Sequence, residues 1–430
     1  MALMLRNARL VDPQVGLDEV ADVLIEDERI AKVGASLECA GAEELDLSGK
    51  IIVPGLVDMH VHLREPGFEL KEDIASGTRA AARGGFAAVC AMPNTNPITD
   101  DALAVEYIKA RAEAVGKCRV LVSGACTKGL GGETLAEMGD MVRHGCCAFT
   151  DDGRGIKDSG MMRRVLDYAA QFDRVVMPHC QDDELVGAGQ VNEGVASTRL
   201  GLEGWPAEGE ELEIMRDIAL CRLTGCPVHI QHLTTKRALD MVRAAKAEGL
   251  PVTCEVTPHH LFLTEDNIGD DYPTSLKVNP PLRTVADAAA LIEGVFDGSV
   301  DAIVTDHAPH TEWEKDREFE LAPFGMIGLE TSLGLMLTHL VHTGVIDYAK
   351  LVDVMAVTPR AILRQERVAI EPGCMADLTV FDPNEEWTVR AEDFLSKAKN
   401  SGFVGHSLKG RATHVLVGGK LTLRDGVIVD

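Results

Sequence analysis

The sequence predicts an α/β protein built as a (β/α)8 barrel of the TIM type, with a small β-sheet module attached to it. Two observations predict this architecture. Eight apolar runs rich in β-branched residues recur through the middle of the chain, and stretches with helical spacing separate them. Both ends of the chain contain short alternating patterns that are typical of strands, without long helices. No glycine-rich nucleotide-binding loop follows any of the apolar runs, so a nucleotide cofactor is not indicated.

The eight apolar runs have the composition of strands that are buried on both faces, as in parallel sheets. The predicted strands are 55–60, 86–92, 118–124, 146–150, 174–179, 227–232, 251–256 and 300–305. The predicted helices between them are 78–83, 102–115, 160–171, 210–224, 236–248 and 285–296. Because strands and helices alternate eight times or nearly so, a closed barrel is favoured over an open doubly wound sheet.

The two ends of the chain resemble each other in pattern. Short alternating strands punctuated by Gly and Asp occupy the first 50 residues and return in ADLTVFDP, ATHVLVGGKLTL and RDGVIVD. We expect the two ends to associate into one β-sheet or sandwich module, with the barrel inserted between them. The predicted boundaries are 1–53 and 366–430 for the two parts of this module and 54–365 for the barrel.

Composition and charge exclude several classes of function. The chain is 46% hydrophobic and 26% charged, which is ordinary for a globular protein. Its 68 acidic and 42 basic residues give a net charge of −26, so neither nucleic acid nor an anionic membrane surface is an expected partner. No apolar run is long enough to cross a bilayer, and the first residues lack the apolar stretch of a signal peptide. The eleven cysteines lack CxxC spacing, so we expect reduced thiols in a cytoplasmic protein.

Histidine and aspartate residues stand where the predicted barrel strands end. They are His60 and His62 after the first strand, Asp151 and Asp152 after the fourth, His179 after the fifth, His232 after the sixth and Asp306 after the eighth. Because the carboxyl ends of the strands of such a barrel meet at one face, we expect these side chains to converge. Imidazole and carboxylate groups form a ligand set suited to Zn²⁺ or a similar divalent ion.

The spacing of the first two histidines supports this interpretation. Side chains alternate along a strand, so His60 and His62 point to the same side, into the mouth of the barrel. His229 lies at odd spacing from His232 on the sixth strand, and we expect it to face the helices and pack in the core. His259 and His260 follow the seventh strand, where support of the site and a place in a loop are equally compatible with the pattern.

The ligand set divides into two groups. His60, His62 and Asp306 would hold one ion, and His179 with His232 would hold a second. Neither group is complete unless an aspartate of the fourth strand bridges the two ions. Two divalent ions would retain a hydroxide between them, and their charge would exceed that of hydroxide and the two carboxylates by about +1, which favours an anionic substrate.

Six motifs, in order along the chain, resemble the dihydroorotases of the bacterial type I branch, within the amidohydrolase superfamily. They are VDMHVHLREPG, AMPNTNP, FTDDG, LKVNPPLR, TDHAPH and APFG. The resemblance runs from Ile52 to Leu333, and ADLTVFDP marks the return to the β module. It implies the reversible cyclisation of N-carbamoyl-L-aspartate to L-dihydroorotate, the third step of pyrimidine synthesis.

The resemblance also implies how the ligand groups are used. Each group would hold one zinc ion, giving two Zn²⁺ per subunit, with the second ion partly occupied because it has fewer ligands. Asp152 rather than Asp151 would bridge the ions, since the family's bridging residue matches the second Asp, next to Gly. Asp306 would also be catalytic, because it would carry a proton between the water nucleophile and the ring nitrogen.

The family's substrate contacts match further positions of this sequence. The matching residues are His62, Arg64, Asn94, Asn279, His310, Phe324 and Gly325. Arg64, Asn94 and His310 would hold the substrate carboxylate, which a planar guanidinium can bind through two hydrogen bonds. Asn279 would touch the ring amide, and Phe324 and Gly325 would place a loop backbone against the ring.

Two alternative functions stay open at this point. One is another cyclic amide hydrolase, such as an allantoinase or a dihydropyrimidinase. Many superfamily members bridge their metals with a carboxylated lysine at the end of the fourth strand, but the nearest lysine here, Lys157, lies well into the loop. The other is a non-catalytic homologue that serves as a partner of aspartate transcarbamoylase, although such a protein is expected to have lost ligand histidines. A homodimer and an association with aspartate transcarbamoylase are both compatible with the sequence.

Overall fold

The computed structural model describes residues 2–430 and contains both predicted sheets. Over those residues, eight strands form a nearly closed parallel barrel, and nine strands from the two chain ends form a second, largely antiparallel sheet. The predicted (β/α)8 barrel with a terminal β module is therefore confirmed.

The eight barrel strands follow one another in chain order around the barrel. They are Leu56–Val61, Phe86–Ala91, Arg119–Gly124, Cys146–Phe149, Val175–Val176, Val228–Ile230, Val252–Val256 and Ala302–Ile303. The eighth strand returns to the first, because the backbone nitrogen of His62 donates to the His307 oxygen at 2.9 Å. At the same seam, the Thr305 hydroxyl donates to the buried Asp58 carboxylate at 2.5 Å. This closure brings the ends of the first and eighth strands side by side.

Helices cover the outside of the barrel, and all six predicted helices are present. The helices between strands are Ile74–Arg83, Ala102–Val115, Met138–Arg143, Ser159–Ala169, Glu208–Thr224, Lys236–Ala247 and Val285–Asp297. Helical segments after the eighth strand are Ser332–Met336, Leu337–Val341, Tyr348–Val352, Asp353–Val357 and Thr358–Ile362. Shorter helices in the loops are Asp183–Val186, Val195–Leu200, Pro258–Phe262 and Glu312–Lys315. Five of the longer helices are preceded by an N-cap residue whose side chain accepts a hydrogen bond from a backbone N–H of the first turn. These residues are Asp73, Asp101, Asp158, Thr235 and Thr284.

The terminal sheet joins the two ends of the chain. Its strands are Ala2–Asp12, Leu17–Glu26, Arg29–Gly34, Glu43–Asp46, Ile51–Pro54, Leu378–Thr388, Ser407–Val417, Lys420–Arg424 and Val427–Ile428. The join is the antiparallel pairing of Ile51–Pro54 with Leu378–Thr388, in which Ile52 lies opposite Val380. Both residues belong to the sheet's own buried apolar cluster, so burial of this face holds the ends together.

A small apolar cluster fills the barrel beneath the site. It includes Met59, Cys90, Cys147, Met177 and Val304, all of them buried. This apolar cluster closes the barrel beneath the strand ends, and the polar side chains lie on the opposite, open side. All eleven cysteines are free thiols, and nine of them are buried. Within residues 2–430, no helix has the length and apolar character needed to cross a membrane.

Candidate metal centre and active site

The carboxyl ends of five barrel strands bring six predicted residues together. This histidine–aspartate cluster consists of His60, His62, Asp152, His179, His232 and Asp306, and all six are buried. His60 Nε2 lies 3.5 Å from Asp152 Oδ1 and 3.6 Å from Asp306 Oδ1. His62 Nε2 lies 3.5 Å from Asp152 Oδ2 and 3.0 Å from Asp306 Oδ1. The two histidines of the first strand therefore face both aspartates.

His179 and His232 approach Asp152 from other strands. Their nitrogens His179 Nδ1 and His232 Nε2 lie 3.7 and 3.9 Å from Asp152 Oδ1 and 2.9 Å from each other. Asp151 faces away from the cluster, because its carboxylate accepts from the backbone nitrogens of Cys126 and Thr127. Asp152 thus lies among the four histidines, whereas Asp151 holds the loop at Cys126 and Thr127 through hydrogen bonds.

Three residues of the site have a left-handed backbone. The φ angles are 60° at Arg64, 30° at His232 and 44° at Asp306, values that side chains with a Cβ rarely adopt. At His232 the left-handed backbone conformation breaks the alternation of side chains along the sixth strand. The prediction that His229 faces the helices is therefore wrong. His229 is buried in the network behind the cluster, with its Nε2 3.1 Å from Glu255 Oε2.

Acceptor groups next to the histidines decide which ring nitrogen faces the cluster. Glu255 Oε1 lies 2.6 Å from His60 Nδ1, and Asn94 Oδ1 lies 2.9 Å from His62 Nδ1. Because each acceptor takes a ring N–H, the neutral form of each ring keeps its proton on Nδ1 and offers the lone pair of Nε2 to a cation. Sequence reasoning missed Glu255, although a lone carboxylate in the apolar run PVTCEV was a signal for a buried partner.

The cluster is rich in ionised carboxylates. Burial alone would raise the pKa of Asp152 and of Asp306, but the nearby histidines, His60 above all, hold both pKa values below the usual range. Burial is likewise outweighed at Glu255, whose pKa falls to about 2 beside His60 and His229. Burial disfavours a charge on His60, but Glu255 and the two aspartates raise its pKa well above the usual value. These carboxylates create a strong demand for positive charge.

The donor atoms fit divalent cations. Zinc binds nitrogen and oxygen ligands at about 2.0–2.2 Å, so two ligands of one tetrahedral ion lie about 3.3–3.6 Å apart. Three of the four separations between His60 or His62 and the aspartates have this size. Two overlapping groups, His60–His62–Asp306 and His60–Asp152–His232, have donor atoms within 4.8 Å of one another. In addition, His60 Nε2 is buried and has no hydrogen-bond partner among residues 2–430. A cation would satisfy this atom.

The cluster opens onto a cavity of about 260 Å³. All of the residues that were predicted to contact substrate line it: His62, Arg64, Asn94, Asn279, His310, Phe324 and Gly325. Four of them, Arg64, His310, Phe324 and Gly325, form what we call the arginine face. Asn94 donates to Asp152 Oδ2 at 3.2 Å, and Asn279 donates to Gln181 Oε1 at 2.9 Å. The two asparagines are therefore fixed by hydrogen bonds before any ligand binds.

Arg64 is held with its charge unpaired. Its Nε donates to the Pro309 carbonyl at 3.2 Å, and no carboxylate of residues 2–430 lies within 4.0 Å of its guanidinium. The neighbouring Glu65 pairs with Arg111 at 2.9 Å instead. Burial lowers the pKa of Arg64, and the charges of Asp306 and Asp152 oppose that effect. The guanidinium remains a cation at neutral pH and is available to an anionic ligand.

The rest of the arginine face is a loop held against the barrel. His310 donates from Nε2 to the Phe324 carbonyl at 2.8 Å, and its pKa falls to about 2 because of burial and the charges of Arg64 and Lys71. Gly325 has a φ of 134°, and a Cβ there would lie 2.8 Å from the Ala308 Cβ. Only glycine lets the loop backbone approach this closely.

His260 anchors the loop that carries Asn279. Its Nδ1 lies 2.8 Å from the Thr257 hydroxyl, and its Nε2 lies 2.9 Å from the carbonyl of Pro280, the residue after Asn279. The sequence was compatible with support of the site or with a simple place in a loop. These contacts favour support of the site, through the loop that carries Asn279. His259 is also buried, and its Nε2 has no partner among residues 2–430.

Fold and site together define a metal-dependent cyclic amide hydrolase of the amidohydrolase superfamily. Among solved structures, the chain is similar to the L-hydantoinase (dihydropyrimidinase) of Arthrobacter aurescens, with 25% identity, a TM-score of 0.90 and coverage of 100% of this chain and 97% of that one. It is also similar to the D-hydantoinase (dihydropyrimidinase) of a Thermus species, with 26% identity, a TM-score of 0.86 and coverage of 99% and 96%.

Relatives in sequence identify the family within this class of cyclic amide hydrolases. The family model described as dihydro-orotase-like matches residues 49–238. The dihydroorotase of Pelotomaculum thermopropionicum is 49% identical over 428 residues, which cover 100% of both chains. That of Geobacter metallireducens is 48% identical over 425 residues, covering 99% of this chain and 100% of the relative. The chain belongs to the dihydroorotase family, as the motifs predicted.

Proposed function

We propose that this protein catalyses the reversible cyclisation of N-carbamoyl-L-aspartate to L-dihydroorotate and water, a step of pyrimidine synthesis. One observation carries the proposal: a cluster built for cations and an unpaired guanidinium face the same cavity. A cyclic amide that also carries a carboxylate matches both. Full-length relatives named dihydroorotase support the same reaction.

The arginine face would recognise the substrate carboxylate. Arg64 can offer two parallel N–H groups, and Asn94 and His310 line the cavity beside it. His310 is neutral, so it would act as a hydrogen-bond partner and leave the charge to Arg64. Asn279 would meet the ring amide, and the backbone at Phe324 and Gly325 would meet the ring.

The histidine–aspartate cluster would hold two Zn²⁺ ions. His60, His62 and Asp306 are assigned to one ion, His179 and His232 to the other, and Asp152 to both. The second ion has fewer ligands, so we expect it to be the more weakly held. When bound, the ions would supply an activated water and polarise the ring carbonyl.

Asp306 would move the proton. In the hydrolytic direction, its carboxylate accepts a proton from the water that adds to the ring carbonyl. The carbon–nitrogen bond of the ring then breaks, and Asp306 delivers that proton to the leaving nitrogen. In the cyclisation direction, protonated Asp306 begins as the acid. Its place at the end of the eighth strand, 3.0 Å from His62 Nε2 and on the wall of the cavity, supports both tasks.

The remaining assignments concern the domain boundaries, the cellular location and the partners. We propose residues 1–53 and 366–430 as the two parts of the β module and 54–365 as the barrel, boundaries supported by the pairing of Ile51–Pro54 with Leu378–Thr388. The eleven free thiols support a place in the reducing cytoplasm. Homodimer formation and association with aspartate transcarbamoylase stay predictions.

The proposal is tested by metal analysis together with an absorbance assay for dihydroorotate consumption. The control substrate is 5,6-dihydrouracil, which has the ring amide but lacks the carboxylate. We expect zinc in the active protein and turnover of dihydroorotate far above that of dihydrouracil. Comparable rates on both would contradict the proposal and favour a dihydropyrimidinase, the activity named for the similar solved structures.

A further inference from the structure

One carboxamide, that of Gln181, contacts both a histidine of the cluster and an asparagine of the cavity. Gln181 Oε1 lies 3.1 Å from His179 Nε2 and accepts from Asn279 Nδ2 at 2.9 Å. Gln181 is only partly buried and does not line the cavity. Sequence reasoning missed it, because glutamine is not a typical ligand and no motif marks it.

The direction of this carboxamide is fixed from outside the site. Gln181 Nε2 donates to Asp183 Oδ1 at 2.7 Å. An ionised carboxylate can only accept hydrogen bonds, so the NH2 group of Gln181 must face Asp183. Its oxygen must then face His179 and Asn279. Asp183 itself is about one third exposed and pairs with Lys157 at 2.8 Å.

This direction has a consequence for each of the two contacts. Because Gln181 Oε1 accepts from His179 Nε2, the proton of the neutral imidazole stays on Nε2, and Nδ1 keeps its lone pair toward Asp152 and His232. Because the NH2 group of Asn279 faces Gln181, its Oδ1 is left as an acceptor, and that atom has no partner among residues 2–430. A ring N–H of a ligand could donate to it.

We propose that Asp183 and Gln181 form a polarity relay: they set the tautomer of His179 for metal binding and turn the oxygen of Asn279 toward the substrate amide. Both are positioning residues, since neither touches the reacting atoms. The part of this inference that concerns Asn279 rests on the proposed function, whereas the part that concerns His179 rests on the cluster alone.

The test exchanges the acid and the amide of the relay. In Asp183→Asn, residue 183 can present either its oxygen or its NH2 group, so Gln181 is free to turn its NH2 group toward His179 and Asn279. Partners that orient metal-bound histidines are worth about 10-fold or more in metal affinity. We therefore expect a roughly 10-fold weaker affinity for the second zinc ion and a higher KM for dihydroorotate.

The double variant Gln181→Glu/Asp183→Asn supplies the rescue. A carboxylate at 181 can only accept, so it again takes the N–H groups of His179 and Asn279, while the amide at 183 donates to it. The total charge equals that of the native pair. We expect zinc affinity and KM to return toward native values in the double variant.

Lys157→Gln is the matched control, because it removes the ion pair with Asp183 and leaves the carboxylate in place. Zinc affinity is measured by competition with a chromophoric chelator, which needs no turnover. If Asp183→Asn binds zinc as the native protein does, or if the double variant stays as weak as Asp183→Asn, the relay is refuted. If the native protein fails to turn over dihydroorotate while these zinc affinities follow the expected order, the proposed function fails and the His179 part of the relay stands.

Discussion

The two sides of the cavity are prepared for opposite charges. The histidine–aspartate cluster contains Asp152 and Asp306, and Glu255 lies directly behind it; nearby histidines outweigh the effect of burial and leave all three ionised. The arginine face contains one partly buried cation, Arg64, without an ion-pair partner. One side therefore lacks positive charge and the other lacks negative charge.

This difference indicates how the work of the site is divided. Under the proposed function, a cation held by the cluster would act on the reacting bond, so damage there should appear in kcat and in metal content. A carboxylate held by Arg64 would be remote from that bond, so damage there should appear mainly in KM. The two sides act independently only if a substitution in the cluster changes kcat or metal content without changing KM, and a substitution of Arg64 changes KM alone.

The largest effect is expected for Asp306→Asn. The amide keeps an oxygen toward His62 and the cluster, but it cannot accept the proton of the attacking water. Loss of a general base lowers kcat by about 10³-fold, with metal content and KM close to native. Steady-state kinetics and metal analysis measure these quantities.

Asp316→Asn is the control for this change, because it removes an exposed carboxylate from the loop after the same strand. It should leave kcat unchanged. If Asp306→Asn turns over dihydroorotate at a near-native rate, Asp306 is not the proton carrier, and the cluster acts through its bound metal alone.

A smaller and different effect is expected for Arg64→Met. The change removes the unpaired guanidinium, and the loss of a charged hydrogen-bond pair with the substrate carboxylate should raise KM by about 10²-fold. Zinc content should not change. Arg163→Met, at an exposed arginine paired with Asp167, is the control for losing a cation. A fall in kcat with an unchanged KM would show that the two sides are not separable.

Glu255→Gln probes the support behind the cluster. The amide keeps the size of the side chain but removes the negative charge that faces His60 Nδ1 at 2.6 Å. The imidazole then becomes a weaker ligand, and we expect about a 10-fold loss of zinc affinity with KM near native. Chelator competition gives the affinity, and exposed Glu366→Gln serves as the control. Native affinity would mean that His60 is held by packing rather than by this charge.

Much of this site was predictable from sequence, for a physical reason. Buried parallel strands have a distinctive composition, and a barrel forces their carboxyl ends to one rim, so His179 and Asp306 could be brought together without knowing any loop. A different pattern, short alternating strands at both ends of the chain, predicted that the two ends share one sheet. Loop details were accessible only through the family motifs, as with Phe324 and Gly325.

The residues that sequence reasoning missed share a different property. Glu255 and Gln181 act by orienting other side chains, and their partners lie on other strands or loops. No spacing rule connects such residues. The error at His229 has a related origin, because the left-handed backbone at His232 breaks the two-residue alternation on which the prediction rested.

The smallest effect tests whether the arginine face carries one positive charge or two. The pKa of His310 is lowered to about 2 in the folded protein, so the unfolded chain, with an ordinary histidine pKa of about 6.5, takes up the proton first as the pH falls. The free energy of unfolding should therefore decrease between pH 7.5 and pH 5.5, by about 1 kcal/mol from this residue.

His310→Asn removes this contribution, so its unfolding free energy should depend less on pH than that of the native protein by the same amount. Urea unfolding at the two pH values gives the difference, and exposed His406→Asn controls for the loss of a histidine. An equal pH dependence in His310→Asn and the native protein would mean that His310 is protonated as readily in the folded state as in the unfolded chain. The arginine face would then gain a second cation in mild acid, and the KM for dihydroorotate should fall with it.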